Sequence, residues 1–140
     1  MTSAGYSGTP LAKKLGIKPR MNVVVIGYPG EYSALVAPVP EGAEVRSAGG
    51  MPAAPVDIVH LFTNSRDELF RVLDEARSFI KQDGMIWVSW YKKAAKLPSE
   101  ITEDTVRDAA LPLGLVDVKV CAVDEKWSGL KLVIRKENRK

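Results

Sequence analysis

The sequence predicts an α/β domain: an open, mainly parallel sheet closed by a C-terminal antiparallel hairpin. Three observations carry this. Apolar runs rich in β-branched residues, Met21–Ile26 (MNVVVI) and Val56–Phe62 (VDIVHLF), read as strands covered on both faces. Helical apolar spacing separates the strands, which implies parallel pairing through right-handed crossovers. Two alternating segments near the C-terminus, Leu115–Val123 and Leu130–Arg135, follow each other with no helix between them.

Taken in order, Thr9-Pro10 is a helix-start signal and Gly16 stops the short helix Leu11–Leu15. The first strand, near 22–27, breaks at Gly27-Tyr28-Pro29-Gly30. Glu31–Val36 forms a short helix that Pro38 and Pro40 end. A short strand falls at 43–46, and residues 47–55 (SAGGMPAAP) connect it to the strand 56–62. Ser65 and Glu68 have capping-box spacing, and Leu69, Val72, Leu73, Ala76, Phe79 and Ile80 recur at helical intervals up to Asp83-Gly84. Met85–Tyr91 is the next strand. Thr102 caps a helix with Glu103 and Asp104 in its first turn, ending near Pro112 and Gly114. The hairpin at 115–135 then turns through 124–129, with Val118, Val120 and Ala122 on one face of its first strand. No repeat or domain boundary is visible, so residues 1–140 read as a single domain.

Composition bounds the function. With 46% hydrophobic and 26% charged residues the chain is an ordinary globular one. Lys13, Lys14, Lys18 and Arg20 make the start basic, and Arg135, Lys136, Arg139 and Lys140 do the same at the end. The net charge is only +3, so the centre is acidic. Basic ends on an acidic body read as solvated termini, and nucleic acid is not the expected partner. Cys121 is the only cysteine and His60 the only histidine, which excludes a disulfide and gives no metal-ligand cluster. No secretory leader or membrane-spanning run stands in the sequence, so a cytoplasmic protein with no membrane association is expected.

The segment Gly16–Gly27 (GIKPRMNVVVIG) resembles the opening of a class I S-adenosylmethionine-dependent methyltransferase: a helix, a turn, an apolar first strand and a glycine-bearing loop. Val56–Phe62, the Asp83-Gly84-Met85 stretch and the terminal hairpin resemble that family's second half. The resemblance implies a three-layer Rossmann-like fold, in shortened form. A closer similarity is to a family of uncharacterised bacterial proteins, carried by GYSGTPLAKKLGIK at 5–18, DGMIWVSW at 83–90 and GLVDVKVCAVDEKWSGLKLV at 114–133. That family implies no activity.

Against the methyltransferase pattern, Val25 stands where an acid precedes the glycine run, and Tyr28-Pro29 replaces small residues, removing space and an N–H donor. Glu44 lies too early for the acid that holds the ribose. These departures disfavour S-adenosylmethionine, and no cofactor is expected. Whether the chain is an enzyme stays open.

Single residues are read conservatively. His60 is expected as a hydrogen-bonded core residue and Cys121 as a small buried hydrophobe. Trp87 and Trp90 face opposite sides of one strand, Trp87 in the core and Trp90 in core or pocket wall. Gly5–Pro10 is a plain helix cap and not a phosphate loop, because the required spacing is missing. In an open parallel sheet ligands bind outside the carboxyl ends of the strands. The candidate binding residues are therefore Gly27, Tyr28, Pro29 and Gly30 after the first strand, Thr63 after the second long one, and Ser89, Trp90, Lys92 and Lys93 at the exit of the third. Two readings stand: a methyltransferase-like binding or interaction module without the usual cofactor site, compatible with a homodimer, or an enzyme or binder of a small anionic metabolite or nucleotide.

Overall fold

A computed structural model describes residues 10–47 and 55–139. Thr9, the Gly5–Thr9 loop and most of the 47–55 connection lie outside them. The strands are β1 (Asn22–Ile26), β2 (Glu44–Ser47), β3 (Val56–Phe62), β4 (Ile80–Tyr91), β5 (Leu115–Ala122) and β6 (Trp127–Ile134). The α-helices are α1 (Leu11–Leu15), α2 (Tyr32–Leu35), α3 (Arg66–Arg77) and α4 (Glu103–Ala110). One six-stranded sheet has the order β2-β1-β3-β4-β6-β5. β2, β1, β3 and β4 pair in parallel, while β6 runs antiparallel to both β4 and β5. The expected architecture is thus present, with β1 and β3 adjacent.

Strand alternation divides the core into two layers. Val24, Val59, Leu61, Ile86, Val88 and Trp90 face α3 and α4, while Val23, Val25, Ile58 and Trp87 face α1 and α2. The Trp87 indole N–H donates to the Leu15 carbonyl at 2.9 Å, fixing α1 on its layer. Leu69, Val72, Leu73 and Ala76 are the buried stripe of α3.

Four local expectations need correction. α3 ends at Arg77, so Phe79 and Ile80 are not helical, and Ile80 already pairs with Val56 in β4. Asp83-Gly84 is no helix stop. It lies in an irregular stretch of β4, where Val56 pairs with Ile80 but Ile58 pairs with Met85. The extra residues bulge outward, and a side chain at Gly84 would meet the Asp57 and Lys81 carbonyls. The hairpin turn is shorter than 124–129, because β6 starts at Trp127, whose partner in β4 is Tyr91. Gly129 permits this: a Cβ there would sit 3.0 Å from Val123 and 3.2 Å from the Trp87 ring. The Ser65 cap is only half a box. Its oxygen accepts from the Glu68 N–H, but the Glu68 carboxylate takes the Thr63 hydroxyl instead of the Ser65 backbone.

Thr102 caps α4 as expected, and Thr105 closes a reciprocal box with it. Leu130, Leu132 and Ile134 are fully buried because β6 is an interior strand. β5 is an edge strand, and Val118 and Val120 remain 54% and 50% exposed on it. Cys121 is half-buried, less enclosed than expected, for the same reason. Among the described residues no helix is long and apolar enough to cross a membrane.

Candidate functional site

The strand order reverses between β1 and β3: the chain leaves β1 toward β2 on one side and returns to β3 on the other. Their carboxyl ends mark the switch point at which open α/β sheets form a ligand crevice. Here the crevice holds the protein's own rings. Tyr28 packs on Phe62 with centroids 4.7 Å apart and meets Tyr32 edge-on at 6.0 Å. Its hydroxyl donates to Asp124 Oδ2 at 3.1 Å. Partial burial, and then the Asp124 carboxylate, push the Tyr28 phenol up to about 12, so it stays protonated and can hold that bond.

Gly27 makes the approach possible. Its φ is +88°, and a Cβ would lie 2.3 Å from the Phe62 carbonyl oxygen, so the loop crosses the end of β3 at backbone contact. Glu31 precedes α2 without a side-chain capping bond, and α2 has only 4 residues.

The expected ligand residues fall into two cavities. Tyr28, Pro29 and Gly30 line one of about 450 Å³ with Asp124, Glu125, Lys126 and Trp127. Trp90, Lys92 and Lys93 line another of about 660 Å³, walled by the Leu97–Asp104 segment, Arg107 and Ser128. Tyr28 and Trp90 therefore do not form a common wall.

Three expected residues line neither cavity: Gly27, held against the end of β3, Thr63 and Ser89. Thr63 is 3% exposed, donating its hydroxyl to Glu68 and accepting from the Ser65 N–H. Ser89 is fully buried. Its Oγ lies 2.8 Å from His60 Nε2, while His60 Nδ1 lies 2.7 Å from the Tyr32 hydroxyl. His60 is thus the hydrogen-bonded core residue expected from sequence. Burial pushes its imidazole down to about 3, keeping it neutral. Burial also raises the Tyr32 phenol far above its ordinary range. The Tyr32–His60–Ser89 chain has the atoms of a nucleophile and base but no path for a substrate to reach them.

The larger cavity has mixed electrostatics. Lys92 and Lys93 enter from the end of β4, and Glu103 and Asp104 from the start of α4. Arg107 is committed elsewhere, bonding Glu103 at 2.9 Å, Asp104 at 3.0 Å and Asp117 at 3.1 Å. Asn64 braces the cavity: its Oδ1 accepts from the Tyr91 N–H and its carbonyl from the Glu100 N–H. Sequence reasoning missed the contribution of α4, since nothing in Thr102–Arg107 marks it as facing the end of β4. Asp124 was also missed. Its only signal was its place in a hairpin turn, where its Oδ1 accepts from the Lys126 and Trp127 N–H groups. No group of three or more potential metal-ligating side chains occurs among the described residues.

A family model described as a protein of unknown function (DUF3052) matches residues 12–136. A search of curated proteins found no match. Solved structures with a similar fold include a SAM-dependent methyltransferase from Aquifex aeolicus, with TM-score 0.64 and 16% identity over 88% of this chain and 87% of that one. The precorrin-6y C5,15-methyltransferase of Geobacter metallireducens gives TM-score 0.64 and 10% identity, covering 96% and 94%. A TehB-like SAM-dependent methyltransferase from Corynebacterium glutamicum gives 0.60 and 11%, covering 94% and 91%. At these identities the similarity is one of fold, and it establishes a methyltransferase-like Rossmann architecture for this chain.

Proposed function

The chain belongs to the DUF3052 family of proteins of unknown function, and from that premise we propose that it is a methyltransferase-like domain working as a binding module, without S-adenosylmethionine. The observation that carries this reading is the Tyr28 ring seated on Phe62 across the ends of β1 and β3. A ligand at the switch point would have to displace that ring and break its bond to Asp124. The neighbouring groups fit the cofactor no better. Pro29 offers no N–H. Glu44 pairs with Asn22 at the amino end of β2, opposite the end where a ribose-binding acid is needed, and β2 finishes on Ser47.

Calorimetric titration with S-adenosylmethionine and with S-adenosylhomocysteine tests this. The expected result is no heat beyond dilution. A dissociation constant in the low micromolar range, about −8 kcal/mol, overturns the reading and favours an enzyme.

A second reading rests on the cavity of about 660 Å³ between β4 and α4, where Lys92 and Lys93 meet the Trp90 wall. That set suits a small anion with a flat apolar part, such as a nucleotide. A thermal-shift screen of nucleotides and anionic metabolites identifies such a ligand, because binding to the native state raises the midpoint. Replacing Lys92 and Lys93 together by alanine then abolishes the shift, while Tyr28→Ala leaves it intact.

A further inference from the structure

The cavity between β4 and α4 is lined by opposite charges that come from different elements. Lys92 and Lys93 follow β4, and among the described residues neither makes an ion pair. Glu103 and Asp104 line it from the first turn of α4. Each gives Arg107 a single oxygen, Glu103 its Oε2 and Asp104 its Oδ1, and keeps the other for a further donor. Arg107 also holds Asp117, so one guanidinium serves three carboxylates and the α4 side stays net negative.

Trp90 adds a third polar group. The residue is 6% exposed and, unlike that of Trp87, its indole N–H has no hydrogen-bond partner in the fold. Among the described residues no fully buried side-chain nitrogen lacks a partner, so this N–H is not sealed in the core. It opens on the cavity that the ring lines. A donor held in so enclosed a place gains from an acceptor on a ligand. Leu97, 40% exposed, and the buried Ile101 supply apolar surface to the same cavity. Its volume of about 660 Å³ lies within the range of about 300–1,000 Å³ usual for small-molecule sites.

We propose that this cavity takes a nucleoside monophosphate whose base carries an exocyclic amino group, with the phosphate at Lys92 and Lys93 and the amino group at Glu103 and Asp104. The inference rests on the cavity being a site for a small flat anion and adds which nucleotides it selects. Two ammonium groups match the double charge of a phosphate monoester, whereas a carboxylate would leave one of them over. The phosphate is excluded from the α4 end, where the carboxylates repel it and the Thr102 hydroxyl already takes the Thr105 N–H. The base therefore presents its edge to α4. An amino group donates to a carboxylate in a charge-assisted hydrogen bond. Where a carbonyl replaces it, as in uracil against cytosine, lone pairs meet the carboxylate instead. Where hydrogen replaces it, as in hypoxanthine against guanine, a donor is missing. Guanine, adenine and cytosine each also carry a ring or carbonyl acceptor for the Trp90 N–H.

Calorimetric titration of the full chain with matched nucleotides tests this. Guanosine and inosine monophosphates differ by one amino group, and cytidine and uridine monophosphates by an amino group against a carbonyl. The amino-bearing member of each pair should bind about 10-fold more tightly, the worth of one hydrogen bond to a charged group. Two variants divide the contacts. Glu103→Gln with Asp104→Asn should bring each pair to within about 2-fold, because the charged acceptor is gone. Trp90→Phe should weaken all four by roughly 5-fold and leave the ratios as they are. Circular dichroism checks that both remain folded, and the ratios within one protein do not depend on how much of it is active. Equal affinity within both pairs, with binding still abolished by Lys92→Ala with Lys93→Ala, overturns the proposal and leaves the anion site standing. Ratios that survive Glu103→Gln with Asp104→Asn also overturn it. Four nucleotides that give no heat beyond dilution, or that bind the double-alanine variant as tightly as the wild type, overturn the proposal and the anion site together.

Discussion

Ser89 Oγ and His60 Nε2 are 2.8 Å apart at a point in the core where neither residue has any solvent exposure. With Tyr32 at its other nitrogen, His60 is satisfied as a neutral ring and has no counter-charge to support an imidazolium. Its folded pKa, about 3, is below the unfolded value of 6.5. Between those values the unfolded chain holds a proton that the folded chain refuses. The stabilisation is complete above the unfolded pKa and is lost as pH falls toward the folded one, by about 1.4 kcal/mol per pH unit. Urea unfolding at pH 7.5, 6 and 4.5 should show this slope. His60→Gln, which keeps a donor and an acceptor but cannot ionise, should flatten it.

Trp87→Phe tests how α1 is held. The variant removes the indole N–H that bonds the Leu15 carbonyl, leaves that carbonyl short of a donor and opens space in a fully buried site. A loss of about 2–3 kcal/mol is expected in chemical denaturation.

Gly27→Ala should be costly for a backbone reason. The residue sits at φ +88°, and the added methyl would overlap the Phe62 carbonyl oxygen. Strain and forced separation of the loop from β3 together predict a loss of at least about 2 kcal/mol. A stability change under about 0.5 kcal/mol would mean that the loop can leave β3 freely, and the closed switch point would go with it.

Val118→Lys should change little in the isolated chain, within about 0.5 kcal/mol. Val118 is more than half exposed, in the irregular part of the β5–β6 pairing. Leu132→Ala, on the neighbouring strand, removes a fully buried side chain and should cost about 2–5 kcal/mol. The pair of measurements distinguishes the edge strand from the interior one.

The elements that were legible in the sequence are those whose signals are local. The apolar run of β1, the Ser65 and Thr102 caps and the stripe on α3 each decide their structure within a dozen residues. β4 was misjudged because Ile80 continues the α3 periodicity, and only its pairing with Val56 decides the matter. The opposed faces of Trp87 and Trp90 followed from alternation alone. The division of the crevice did not, since it depends on Asp124 meeting Tyr28 across 96 positions. Lys119 donates to the Lys14 carbonyl across 105 positions, so a count of charges along the chain could separate the two lysines but not unite them.

The position of β6 between β4 and β5 has a consequence for how the protein is made. A ribosome delivers β1 to β4 first, and these can pair in parallel while the rest is still being synthesised. The far edge of β4 then waits, with its backbone groups open, until residues 127–134 have left the exit tunnel, and β5 cannot cover it in the meantime. Nascent chains stalled just before Trp127 would carry an adhesive strand edge. Chains long enough for Ile134 to have cleared the tunnel would not. The last quarter of the chain therefore acts as a built-in seal, applied after the parallel half is already in place.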